Sequence, residues 1–273
     1  MATRKTAAPK KAAPKAKAAP KPKAPKIAPK AVSPGVEVTE RGEIYFLYRP
    51  DAGQEHPGGL VDVRRFQLVL RPEGSDLRRL ITVGRKTLPT AAEGGGSHWA
   101  FVDGAFRGGD ALRDALMGTS SPEARPAGEG VYAIARHGRS TVLAYALELP
   151  EEPGEVQRAF GIEKGGHFAL SIKNPEAGSP DQVGLDAGKR VEFPEELQGR
   201  FGGRRWSPAD PPAFLDHEGA ELVLIAGRDD DGGGLELGLD PQPEDEASSE
   251  VFGDLHLAKS ERARRPLFDG EWA

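Results

Sequence analysis

The chain contains no cysteine, so disulfides, thiolate zinc sites and a cysteine nucleophile are excluded together. No run of about 18 apolar residues is present, and no segment reads as a membrane-crossing helix. The first 31 of its 273 residues hold no acidic side chain, yet they carry ten of its 37 lysines and arginines. The remainder therefore carries 27 basic against 42 acidic residues, a net of −15 hidden inside the overall −5. Aromatics make up only 7%, while 35 glycines and 24 prolines mark a loop-rich chain. About half of the residues are apolar once glycine is counted, which is enough to build a core. The lack of cysteine fits a reducing compartment, and the expected location is the cytoplasm.

Residues 1–35 read as a disordered arm of Lys, Ala and Pro. Its prolines deny a helix its hydrogen bonds, and like charges repel with almost nothing apolar to collapse around. An extended, polyproline-like course is expected. The arm has neither the apolar segment of a secretory signal nor the Arg/Ser-rich amphipathic pattern of an import presequence. Lys10, Lys11, Lys15, Lys17, Lys21, Lys23, Lys26 and Lys30 are spaced along it so that each can approach a phosphate and release a counterion. In composition the arm resembles the tails of linker histones, which implies nucleic acid or another polyanion as partner. The competing readings are a solubilising tail and a strap for the protein's own acidic surface.

Residues 41–227 read as a β-rich body in two related halves, about 41–120 and 125–227. The apolar run Ile44-Tyr45-Phe46-Leu47-Tyr48 returns 87 positions later in Val131-Tyr132-Ala133-Ile134, aligning Tyr45 with Tyr132 and Leu47 with Ile134. Phe66 to Leu70 corresponds to Tyr145 to Leu149, and Ile81-Thr82-Val83 to Leu170-Ser171-Ile172. Helical segments are expected after each third strand, from Trp99 to Met117 and from Pro194 to Phe201. The fold class is α+β, β-rich and mostly antiparallel, with two pseudo-repeats of about three strands plus a helix in one compact body.

Four segments, Gly42-Glu43-Ile44-Tyr45-Phe46-Leu47-Tyr48-Arg49-Pro50, Lys173-Asn174-Pro175, Pro208-Ala209-Asp210-Pro211-Pro212 and Glu218-Gly219-Ala220-Glu221-Leu222, resemble a family of uncharacterised proteins. That resemblance spans about residues 41–227, with an echo in Gly270-Glu271-Trp272. It implies a shared fold and brings no known activity, substrate or catalytic residue.

Residues 228–250 read as a flexible acidic linker, with nine acidic and no basic residues between Asp229 and Glu250. Residues 251–273 are too apolar for a plain tail and read as a docking segment or a short motif for a protein partner.

Motifs that carry chemistry are scarce. The six histidines never fall at i, i+4, so no helical zinc pair exists. Asp229-Asp230-Asp231-Gly232 lacks the next oxygen ligand of a calcium loop, because Gly233 stands there. The triple glycines at 94–96 and 232–234 do not join a strand to a helix as a phosphate cradle does. Ser97 in Gly95-Gly96-Ser97-His98-Trp99 makes a poor nucleophile elbow, since Trp99 blocks the close turn. Glu195 and Glu196 point apart on a helix. No metal or cofactor is expected. One sharper idea uses the two halves: Arg49 and Arg136 end equivalent strands and would face each other as a two-pronged anion site, enlarged by Arg85 and Lys173. The preferred reading is a non-enzymatic binding protein acting through its arm. An enzyme or binding module for a small anion between the halves is the first alternative, and a protein-interaction scaffold the second.

Overall fold

A computed structural model describes residues 32–90, 96–117, 122–178, 191–227 and 236–273. Nine strands are present among them: β1 (Val36–Pro50), β2 (Val63–Pro72), β3 (Leu77–Val83), β4 (Ser97–Arg107), β5 (Arg125–His137), β6 (Ser140–Leu149), β7 (Gly165–Lys173), β8 (Trp206–Pro208) and β9 (Glu221–Ala226). Short helices intervene: α1 (Gly109–Met117), α2 (Glu155–Phe160), α3 (Glu195–Gly199), α4 (Val251–Asp254) and α5 (Glu261–Phe268).

All strand pairs are antiparallel, and eight strands close in the cyclic order β1-β2-β3-β4-β9-β7-β6-β5. The three-residue β8 adds to the free length of β7. Closure pairs strand edges that would otherwise stay open. It also requires backbones to approach closely where strands cross. Gly42 and Gly130 meet this need, because a Cβ at either would lie 2.0 or 2.2 Å from a carbonyl oxygen of the neighbouring strand. Tyr132 lies over Gly42 and Tyr145 over Gly166, so a ring fills the space that each missing side chain leaves.

Alternation along the strands divides the apolar residues between lumen and outer wall. Inside, Phe46, Phe66, Tyr145 and Phe168 form a ring-packed core, with Phe66 stacked on Phe160 of α2 at 4.7 Å and Phe46 edge-on to Tyr145 at 5.0 Å. Each such side chain taken out of water contributes about 1.5–3 kcal/mol. Trp272 and Phe160 fill the end at which β1 finishes, both against Tyr48. Phe193, Phe201 and Phe214, on the long connection from β7 to β9, fill the end at which β1 starts. Within the lumen Arg79 is held by Glu40 at 2.5 Å and by Asp216 at 2.6 Å, and the Tyr132 hydroxyl donates to Glu40. That buried network is internally paired.

Outside, β1, β2 and β3 present Tyr45, Leu47, Val69 and Leu80 to α1 and to residues 251–268. The C-terminal segment thus packs on the barrel wall. The described part of the acidic stretch also lies along the wall: Leu237 is buried on Ala133, Ala135 and Ala144, and Arg41 donates to the carbonyl oxygens of Leu237 and Gly238. Residues 236–250 are therefore placed against the barrel, whereas Asp229, Asp230 and Asp231 lie outside the described residues.

Two sequence-based expectations need correction. The segment from Trp99 is strand β4 up to Arg107, and helix begins only at Gly109. Its period is two, with Ala100 and Val102 inward and Trp99 and Phe101 outward, so tertiary pairing with β3 and β9 decides the conformation. The repeat alignment also breaks at its first strands. β1-β2-β3 and β5-β6-β7 are both antiparallel meanders, and Ile81 and Leu170 both face the lumen. Yet Tyr45 and Leu47 face outward while their supposed counterparts Tyr132 and Ile134 face inward. A one-residue phase difference is enough to exchange the faces.

Candidate functional site: an aromatic and arginine-bearing wall

Register across β4, β9, β7 and β8 sets the outer residues of this wall in rows. One row runs Phe101, Glu221, Lys173, Trp206, because Phe101 pairs with Glu221 and Lys173 with Trp206, while Ile172 opposite Leu222 brings Lys173 beside Glu221. The next row runs Trp99, Val223, Ser171, Pro208. Trp99 and Trp206 are separated by two strands, yet their ring centroids lie 5.3 Å apart in an edge-to-face contact. The two indoles must therefore reach over the intervening strands from opposite sides. Trp99 also lies 6.5 Å from Phe101, whose ring rests near Gly84.

Beneath these rings Lys173 Nζ lies 2.8 Å from Glu221 Oε2, with the two side chains 0% and 4% exposed. The pair is desolvated, and each charge has the other as partner. Trp99, Phe101 and Trp206 are half-buried, Ile225 is exposed, and none of the four belongs to the barrel core or to the wall covered by the C-terminal segment.

Three arginines stand at one edge of this wall. Arg200, Arg204 and Arg205 are exposed and precede Trp206, in a turn where Gly202 and Gly203 take positive φ. Arg204 donates to the carbonyl oxygens of Arg200 and Phe201, and Arg205 to that of Gly178. No carboxylate among the described residues forms an ion pair with any of the three. An open cleft of about 470 Å³ adjoins them, lined by Asn174, Glu176, Phe193, Glu195, Gln198 and Phe201 among others. Its central amide is already engaged: Asn174 Oδ1 accepts from Glu176 N and Gln198 Nε2, and Asn174 Nδ2 donates to the Arg204 carbonyl oxygen. The cleft's described lining includes no nucleophile paired with a base.

The predicted anion site does not assemble. Arg136 pairs with Glu37 where β1 begins, and Arg49 stands at its other end, twelve residues away or roughly 40 Å along a strand. Arg49 is buried and donates Nη2 to the carbonyl oxygens of Ala115 and Leu116, capping the C-terminal turn of α1. Burial and the charges of Arg65 and Arg64 lower its pKa. Arg136 is engaged by Glu37 and Asp210, and Lys173 by Glu221. Arg85 is exposed on the turn after β3. Eight arm lysines, Lys10 to Lys30, lie outside the described residues.

Three carboxylates, Glu43, Glu250 and Asp254, come within 4.8 Å of one another and could in principle hold a cation. Arg71 already supplies one, donating to Glu43 at 2.5 Å and to Asp254 at 2.7 Å. The buried Tyr45 hydroxyl lies 2.8 and 2.6 Å from the same two groups, and burial together with their charges pushes the phenol pKa well above 10. Glu129 receives Ser249 Oγ and the Glu250 amide close by. This cluster fastens the C-terminal segment to the barrel.

Sequence reasoning missed Trp99, Phe101, Arg204, Arg205 and Trp206. The period-two spacing of Trp99 and Phe101, and the two arginines beside Trp206, were the signals available.

The fold defines an antiparallel eight-stranded β-barrel with a filled lumen and an outer wall that the described residues cover only in part. Compared with protein-family models, curated proteins and solved structures, the chain matches none.

Proposed function

We propose that the protein is a non-enzymatic binder of nucleic acid or a similar polyanion, held through its basic arm. One observation carries this reading: ten basic and no acidic residues in the first 31, on a chain whose remainder has a net charge of −15. Such segregation gives one end of the molecule an attraction for phosphates that the rest opposes. The described barrel adds support, because Arg49, Arg136 and Lys173 are occupied by internal partners and do not converge on a small anion.

If about five arm lysines neutralise duplex phosphates, log K falls with log salt at a slope of about −4.5. Filter binding across a salt series, with full-length protein and with protein lacking residues 1–31, measures it. The expected result is steep, sequence-blind binding that disappears with the arm, while Arg49→Ala leaves it nearly unchanged. Equal affinity of the two proteins would remove the arm from the reading. Failure of both to bind would favour a solubilising tail or one docked on the protein's own acidic surface.

A further inference from the structure

We infer that the outer wall formed by Trp99, Phe101 and Trp206 is a stacking platform for single-stranded nucleic acid, with Arg204 and Arg205 holding the strand's phosphates. The inference rests on the nucleic-acid reading above and deepens it by adding a second contact on the barrel.

The first support is the distribution of cover. Residues 251–268 and α1 bury the outward apolar residues of β1, β2 and β3, and Leu237 buries those of β5 and β6. The outward aromatics of β4 and β8 remain half-buried beside the exposed Ile225. Single exposed apolar residues are ordinary on a protein surface, but three rings joined through Trp99, which neighbours both Phe101 and Trp206, form a patch.

Charge names the occupant. The edge of the wall has three arginines within six residues, none of them in an ion pair with a described carboxylate, and they outnumber Glu176 and Glu195 of the adjoining cleft, so an anionic occupant is favoured. Aromatic rings beside arginines suit a strand whose bases are free to stack and whose backbone is anionic; a duplex hides its base faces.

The arm joins the barrel just before β1, whose Glu37 is tied through Arg136 to Asp210. Asp210 is only four residues beyond Trp206, at most about 14 Å of chain. The start of β1, to which the arm is joined in sequence, and the Trp206 edge of the wall thus lie at the same end of the barrel. A strand captured by the arm is delivered beside the rings.

The test uses full-length protein and a twelve-nucleotide oligothymidylate carrying 5-iodouracil, compared with a duplex of equal length. Irradiation of the complex should crosslink Trp99, Phe101 or Trp206, located by peptide mass spectrometry. Arg204→Gln with Arg205→Gln should weaken single-strand binding roughly tenfold and duplex binding much less, since duplex binding depends on the arm. Trp206→Leu should do the same; the arginine variants keep the test valid if that substitution disturbs the fold. Crosslinks confined to other segments, or equal losses for single strand and duplex, would overturn the inference. A concentration-dependent dimer abolished by Trp206→Leu would overturn it too, by assigning the wall to a second copy. Crosslinking at the wall that survives removal of residues 1–31 would uphold the platform while the arm reading fails.

Discussion

At the scale of single residues, Lys173 and Glu221 form a deeply buried ion pair. Both side chains are almost wholly out of water and 2.8 Å apart, under two tryptophans. Replacing only one removes the counter-ion of a buried charge, at a cost of about 3–5 kcal/mol, whereas replacing both by apolar residues of similar volume is close to neutral. Lys173→Met should therefore lower unfolding free energy sharply, and Lys173→Met with Glu221→Leu should restore most of it. Urea denaturation of the two singles and the double gives the coupling directly. If the double were as unstable as the sum of the singles, the pair would not be the interaction that matters. Sequence alone placed Lys173 in a speculative anion site. It could not do better, because Glu221 is 48 positions away and becomes a neighbour only through the pairing of β7 with β9.

At the scale of elements, the C-terminal segment is held by a cluster that includes a half-buried aspartate beside Tyr45, Arg71 and Glu43. Burial raises the Asp254 carboxyl above its ordinary value, and the Glu43 charge adds to this; the Tyr45 hydrogen bond and the Arg71 charge oppose it. A carboxyl raised in the folded state contributes stability that is complete below its unfolded pKa and is lost as pH rises through the folded value. Asp254 should therefore favour docking of α4 as pH falls from neutrality toward that value, opposite to the behaviour of an ordinary salt-bridged aspartate. Amide exchange at Asp254 and Leu255, compared between pH 7 and pH 5, measures local opening. Because the carboxyl groups of Glu43, Glu129 and Glu250 lie nearby, Asp254→Asn is the control. It should keep the hydrogen bond from Tyr45 and reduce the pH dependence, and an unchanged pH dependence in that variant would exclude Asp254 as its source. The apolar character of Val251, Phe252, Leu255, Leu257 and Leu267 was legible as a docking signal. Its place on β1, β2 and β3 was not, since several walls of the barrel present apolar strands of similar pattern.

At the scale of the whole molecule, barrel closure makes every strand depend on two neighbours, with β5 and β2 both paired to β1. The described barrel and its core lie within residues 32–273. Removing residues 1–31 should therefore leave the thermal midpoint within roughly 2 °C, less than the shift that 1 kcal/mol produces in a domain of this size. Urea unfolding should be a single transition, coincident by far-ultraviolet circular dichroism and by tryptophan emission. The tryptophans sample separate regions, with Trp99 and Trp206 on the outer wall and Trp272 at a mouth of the barrel. An earlier emission change would show that the mouth or the wall opens apart from the barrel.

What the sequence determined by itself was local: alternating apolar strands with glycine and proline turns, a charge-segregated arm, and the want of any known catalytic motif. These are properties of neighbouring residues, and physical chemistry acts on them without knowledge of the fold. The tertiary structure alone decided closure, because joining β6 to β7 and β4 to β9 depends on pairings between distant segments. Closure then fixed which face of each strand looks inward. That is why Trp99 and Phe101, expected on a helix, stand on an outer wall beside Trp206, and why Arg49 and Arg136, expected together, stand at opposite ends of one strand.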